Sequence, residues 1–415
     1  MGSTVRGSNP AAGDDIKTCA HALTPEMIEI RRDLHRHPEV AFHEERTAGR
    51  VEDFLRRLGL SPRRAAGTGV ICDISPAGAS GAAGASGAGR RTVALRADMD
   101  ALPIQDAKDV PYASTVPGVA HACGHDGHVA MLLGAAAVLA GRRDRLPGRV
   151  RLIFQPGEEL IPGGAALMID AGALDDVASI LGMHLWTLQP RGRAWCNAGA
   201  MMAAADEVRI AVLGRGGHGA APHDAVDALL VGAQAVVNMQ SIVARRVDPL
   251  KPAVLSICTF HAGSSYNIIG DRAEMTGTVR TLDRGVQDQM PRLIEQVLKG
   301  TCDAYGATYE FEYRRGYPPV VNDGGVAGAA RAACVEALGD EGVVSLPPVM
   351  GGEDFSLYQA HVPGAYIFLG AGPAPGAGGR PEAVAHHHPR FDFDERALPL
   401  GCEIWVRAAL RLLEG

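Results

Sequence analysis

Residues 121–139 read His-Ala-Cys-Gly-His-Asp-Gly-His followed by VAMLLGAAAVL. The octet His121–His128 puts a thiol, three imidazoles and a carboxylate into one turn. The run Val129–Leu139 that follows has the composition of a buried helix, so the turn sits at the mouth of a core element. Three side-chain types that bind transition metals share this bend. Histidine-rich turns also occur on ordinary surfaces. What lifts this one is that an acidic pair, Glu158 and Glu159, and a histidine cluster, His386, His387 and His388, each close another apolar strand or loop. Side chains converge where strands of an open sheet end. Metal chemistry is therefore the first hypothesis.

Composition sets the frame. At 415 residues the chain exceeds one ordinary hydrophobic core, which favours two domains. With 47% hydrophobic and 21% charged residues it reads as a globular enzyme, and the net charge of -7 argues against nucleic acid as a main partner. The eight cysteines show no Cys-x-x-Cys pair, which suits reduced thiols in a cytoplasmic protein. Met1–Thr18 lacks the apolar stretch of a signal or anchor and is expected to be a loose tail. The richest apolar windows, near 129–140 and 225–237, have the length of core helices, so no membrane partner is expected.

Outward from the octet, strands and helices alternate. Thr24-Pro25-Glu26 predicts a capped helix start, and a second helix runs over 44–58. Strands are expected at 69–74, 91–97, 150–154 and 178–184, with a helix at 164–170. The Ala/Gly/Ser run Ala77–Gly89 is expected to be a mobile loop. This pattern predicts an α/β catalytic domain with a central mixed sheet flanked by helices. From Ala204 the order changes to strand, helix, two strands, helix, strand, the βαββαβ order of a ferredoxin-like sandwich. Residues 205–313 then form an inserted satellite domain, and the catalytic domain is discontinuous, 1–204 and 314–415. A final amphipathic helix is expected over 395–413.

Chemistry is written at the strand exits. Asp98 and Asp100 end one strand, although a polar strand exit is common. In Glu158-Glu159 adjacent side chains point different ways, so one carboxylate can ligate a metal while its neighbour reaches a bound water. Metal-assisted hydrolysis needs that division of labour. Gly214–Gly219 lacks the Lys-Ser/Thr of a phosphate loop and is not read as one.

The ordered strings ADMDALPIQ, HACGHDGH, LIFQPGEE, GMHLW, GRGGHGAAPH, GTVRT, GGEDF and HHHPRFDFDE resemble the dinuclear metallohydrolases that include aminoacylases, hippurate hydrolase and indoleacetyl-amino-acid hydrolases. The resemblance spans about residues 24–412. It implies metal ligation by Cys123, His125, Glu159, His184 and His387, with the Cys123 thiolate bridging two divalent ions per subunit: zinc or manganese, with cobalt or nickel as substitutes. His386, His388, His121 and His128 have no ligand role in it. Asp100 is expected to orient an imidazole, and Asp98 is unassigned. Glu158 matches the general base, which takes a proton from a metal-held water and hands it to the leaving amine. His218 matches a histidine that crosses a dimer to steady the oxyanion, and Asn267 and Arg280 match residues that hold a substrate carboxylate.

The implied function is hydrolysis of N-acyl-amino acids to a carboxylic acid and a free amino acid, by a homodimer that can pair into tetramers. A metallo-dipeptidase or carboxypeptidase on small peptides is the alternative. A thiol enzyme with Cys123 as nucleophile and His125 as base is a third reading, which chelators would separate. Three departures bear on substrate choice alone: the long Ala77–Gly89 loop, Ile269-Gly270-Asp271 where a proline is usual, and Gly157 in place of alanine.

Overall fold

The computed structural model describes residues 15–78, 91–373 and 383–415. Most of the Ala77–Gly89 loop and of the expected N-terminal tail lies outside the described residues. Two compact units divide the chain. One comprises 1–199, 321–346 and 357–415, the other 200–320 and 347–356.

The first unit opens with α1 (Ile16–Ala22), α2 (Thr24–Arg36) and α3 (Glu45–Arg57). Residues 16–18, expected in the tail, are helical because Asp15 caps α1 through the Thr18 N–H. The expected Thr24 cap is corrected. Leu23 ends α1 and starts α2, its carbonyl taking the Met27 N–H, so Thr24 is already inside the helix and caps nothing. There follow β1 (Arg63–Ala65), β2 (Gly69–Ile74), β3 (Thr92–Asp98), α4 (His125–Ala140), β4 (Arg149–Gln155), α5 (Ala165–Asp170), β5 (Ser179–Pro190) and β6 (Ala194–Trp195).

In the second unit come β7 (Ala204–Leu213), β8 (Gly217–His218), α6 (Ala228–Arg245), β9 (Ala253–Ala262), β10 (Ile268–Ile269), β11 (Arg272–Thr281), α7 (Arg284–Tyr305) and β12 (Thr308–Arg314). Its four long strands lie in the order β9-β11-β7-β12, all antiparallel. Val208, Ile210, Val212 and Met275 face the helices and pack with Val231, Ala235, Met239, Ile242, Leu293 and Leu298. The alternate positions are charged: Arg272 bridges Glu274 and Glu310 at 2.7 and 2.8 Å. That alternation is what one covered sheet face requires. Helix α6 is long and apolar enough to cross a membrane by length and composition, yet here its apolar stripe lies on the sheet. Residues 347–356 also join this unit, through Val349 N–H to Met201 O and Ala203 N–H to Gly351 O.

The chain completes the first unit with α8 (Gly324–Leu338), β13 (Gly364–Gly372) and α9 (Leu398–Glu414). Its sheet has the order β1-β2-β4-β3-β5-β13-β6. The central strands β4, β3, β5 and β13 are mutually parallel, and β2 and β6 run against them. From Val129 to Leu139 every residue of α4 is buried, among α2, α9 and β3. A helix apolar on all sides has nowhere else to go. The parallel strands release their carboxyl ends on one side, where β3 delivers Asp98 and Asp100, β4 delivers Glu158 and Glu159, and α4 presents its first turn.

Candidate metal centre

Gly124, at φ +107°, turns the chain between Cys123 and the first residue of α4, a bend that a side chain resists. His125 therefore points back toward the strand ends. Its Nδ1 lies 2.9 Å from the Asp100 carbonyl, which can only accept, so the Nδ1 proton is spoken for and Nε2 faces the site. Nε2 stands 3.8 Å from Asp98 Oδ1, 4.0 Å from Glu158 Oε2 and 3.9 Å from Glu159 Oε1. Burial opposes charge on this ring, but the Asp98, Asp100 and Glu159 carboxylates outweigh it and hold its pKa up at about 10.

The acidic turn after β4 is held from outside. Asp100 accepts the Glu158 N–H with Oδ1 and the Glu159 N–H with Oδ2, both at 3.0 Å. Buried Glu44 accepts the Gly157 N–H at 2.9 Å and the Thr68 hydroxyl. Nothing in the sequence around Glu44 pointed to this role. Asp100 orients His125 mainly with its backbone, while its carboxylate is occupied by the turn.

His184 on β5 pairs with Phe368 of β13. Its Nε2 is 3.4 Å from Cys123 Sγ, and its Nδ1 is 2.7 Å from Leu185 O. Burial, then the neighbouring His128 and His386 rings, push its pKa well down and keep it neutral. His387, half exposed at φ +65°, comes within 3.2 Å of Glu159 Oε1, its backbone N–H donating to Ala122 O. The ligand atoms of Cys123, His125 and His184 lie within 4.8 Å of one another, and so do those of Cys123, Glu159 and His387. The two groups share only Cys123.

These residues fit divalent cations. Glu159 Oε1 is buried with no well-aligned hydrogen bond, its near neighbour being the His387 ring nitrogen at 3.2 Å. Burial and the Glu159, Glu158 and Asp98 carboxylates drive the Cys123 thiol well above its usual pKa. A cation amid these groups reverses both penalties, and thiolate with imidazole and carboxylate is a donor set for borderline-soft ions.

The remaining histidines are placed differently. His128 lies between Asp98 and the backbone of Leu185, and the His386 ring reaches Leu185 O at 3.1 Å. His388 is exposed and accepts the Arg390 N–H. His121 is buried with neither ring nitrogen hydrogen-bonded. Behind the octet, fully buried Arg31 reaches Asp126 at 2.9 Å and Asp392 at 2.7 Å, with His35 Nδ1 2.7 Å from Asp126. The sequence signal for that network is an acid, Asp126, in the first turn of an apolar helix.

In the second unit His218 is exposed, its β8 pairing with β10 and its Nδ1 accepting the Ala220 N–H. Asn267 is beside it, joined through Gly219 N–H to Asn267 O. Arg280 is elsewhere. It lies at the far end of β11, opposite Val254 and Ala205, eight residues or roughly 26 Å of strand from Arg272.

Three similarities bear on this arrangement. The chain is 45% identical, over 74% of its length and 81% of the relative's, to the N-acyl-L-amino acid amidohydrolase of Geobacillus stearothermophilus. It is 39% identical to thermostable carboxypeptidase 2 of Saccharolobus solfataricus, over 90% of this chain and 92% of that one. Among solved structures it resembles a dinuclear metal binding peptidase of the M20 family from Bacillus subtilis, with TM-score 0.80, 34% identity and coverage of 95% and 99% of the two chains. The family model for peptidases M20/M25/M40 matches residues 94–411, and the chain belongs to that family.

Proposed function

We propose that the protein is a metal-dependent amidohydrolase that cleaves N-acyl-amino acids to a carboxylic acid and a free amino acid, with two divalent ions held by Cys123, His125, Glu159, His184 and His387. The observation that carries this reading is the pair of ligand groups with Cys123 in common and a second carboxylate, Glu158, 4.0 Å from a ligand nitrogen. A thiolate common to both groups would suit zinc, a borderline-soft ion, while the carboxylate of Glu159 would also accept manganese.

When bound, the ions polarise the amide carbonyl and bring the pKa of a water to about 7. Glu158 would take a proton from water as the water oxygen bonds to the amide carbon, and would hand it to the nitrogen as the C–N bond breaks, so one carboxylate serves as base and then as acid. Asp100 and Glu44 keep Glu158 in register by holding the backbone of its turn. The thiol-nucleophile reading fares worse, because a nucleophilic cysteine needs a depressed pKa and Cys123 is driven the other way.

Residues 205–313 are assigned to dimerisation. Leu229, Leu230, Val237 and Phe260 expose apolar surface on α6 and β9. Asn267 precedes the end of β11 opposite to that of Arg280, and a joint hold on one substrate carboxylate is assigned to a dimer, with His218 and Asn267 serving the partner's site. Eight cysteines outside any disulfide among the described residues suit a reducing cytoplasm.

The test is metal-depleted protein reconstituted with zinc or manganese and assayed on N-acetyl and N-benzoyl amino acids beside dipeptides. Chelator-sensitive release of the amino acid from acyl substrates is expected. Turnover confined to peptides assigns the carboxypeptidase alternative, and activity indifferent to chelator refutes the metal mechanism.

A further inference from the structure

The backbone of Leu185 ties three histidine rings together. Its N–H donates to His128 Nε2 at 2.9 Å, and its carbonyl lies 2.7 Å from His184 Nδ1 and 3.1 Å from His386 Nε2. A ring nitrogen that accepts an amide proton carries none itself, so the proton of neutral His128 is on Nδ1, 2.6 Å from Asp98 Oδ1. The carbonyl of Leu185 can only accept. The His184 proton is therefore on Nδ1, and its Nε2 lone pair faces Cys123 Sγ. His128 also completes the sheet. Strand β3 pairs with β5 only as far as Gly182, and three residues on, where no β3 residue pairs, the buried Leu185 N–H is met by the imidazole instead.

We infer that His128 is a positioning residue for the metal centre. Anchored by Asp98, it pins the backbone of Leu185, and the Leu185 carbonyl in turn fixes His184 in the tautomer that leaves Nε2 able to ligate. This rests on the metal-centre reading above. Outer hydrogen bonds of this kind set the tautomer and orientation of imidazole ligands. Here the control passes through a main-chain segment in addition to the edge-to-face contact of the two rings, whose centroids lie 4.7 Å apart, so an alteration 2.9 Å from Leu185 on α4 is transmitted to β5.

Three variants of the full-length protein separate the bonds. His128→Phe removes both. His128→Asn can still donate to Asp98 but falls short of Leu185, whereas His128→Gln presents an acceptor near the Nε2 position. Cobalt(II) affinity and the visible ligand-field bands are measured for each, with 15N signals of the histidine rings recorded on metal-free protein. His128→Phe and His128→Asn should lose about 10- to 100-fold in affinity, shift the bands and lose the single Nδ1-protonated pattern of His184, and His128→Gln should recover most of each. Wild-type affinity and bands in His128→Asn overturn the inference, as does equal loss in His128→Asn and His128→Gln, which would leave only packing. Should His128→Phe fail to fold, the Asn and Gln pair decides. Absence of cobalt binding by the wild type would instead sink the metal-centre reading, while the ring signals still test the tautomer.

Discussion

Asp100 grips Glu158 by the backbone: the Glu158 N–H donates to Asp100 Oδ1 at 3.0 Å, and the next N–H, that of Glu159, donates to Oδ2. A bidentate acceptor under two successive amides fixes the turn by its backbone, with both glutamate side chains near the His125 ring. The same residue orients His125 through its carbonyl, so the proposed base and the proposed ligands share one support.

Replacing Asp100 should therefore damage binding and turnover together. In Asp100→Asn one oxygen becomes an NH2 group facing an N–H, a donor against a donor. Metal affinity should fall about 10- to 100-fold, and each lost charge-assisted bond should cost about 1.5–3 kcal/mol of stability. Metal titration with denaturant unfolding checks this, and unchanged affinity would show that the turn holds itself.

Glu158 should separate chemistry from metal binding. Glu158→Gln keeps the shape and removes the base, so kcat should drop about 10²- to 10⁴-fold while metal content stays at the wild-type level. Glu158→Ala that purifies without metal would make Glu158 a ligand and overturn its assignment as base.

Gly157 is where a departure in sequence meets a cause in structure. At φ +62° a side chain there would be strained, and a Cβ would come within 2.6 Å of the Phe42 ring. Gly157→Ala should lose about 1–3 kcal/mol through overpacking and a further 1–2 kcal/mol through the left-handed backbone. Adding Phe42→Leu should relieve the first part and leave the second. Urea unfolding of the four proteins measures the coupling, and additive costs would mean the ring is not the obstacle.

Legibility followed the strength of local signals. The fold was readable because period-two strands and the all-apolar 129–139 run leave few choices, and strand exits announced Asp98, Asp100 and Glu158, whereas His184, at the expected end of a strand over 178–184, lies inside β5. What escaped depends on distant partners. Glu44 supports Gly157 from 113 residues away, Arg31 reaches 95 residues to Asp126, and His128 looks like a spare member of the octet until Leu185 is beside it. Periodicity carries no record of such pairings. Helix ends were legible to within a few residues, and the Thr24 cap failed because α1 runs straight into α2.

The last prediction concerns acid stability. His121 is buried with neither ring nitrogen hydrogen-bonded, and burial, outweighing the Asp126 carboxylate, lowers its pKa to about 3; His386 is held near 3 by burial and the adjacent His387. For both, the unfolded chain binds a proton at about pH 6.5 that the folded one refuses. Stability is therefore full above about 6.5 and is lost as pH falls toward 3, at up to roughly 1.4 kcal/mol per pH unit for each ring. His125 acts in the opposite sense in metal-free protein: its raised pKa gives stability that is whole below about 6.5 and disappears toward pH 10. Metal-free protein should then be most stable near neutrality, and His121→Phe should flatten the acid limb while leaving the alkaline limb alone. Thermal unfolding from pH 5 to 9 reads both limbs, and an acid limb as steep in His121→Phe as in the wild type would show that this ring finds a proton-accepting partner in the folded state.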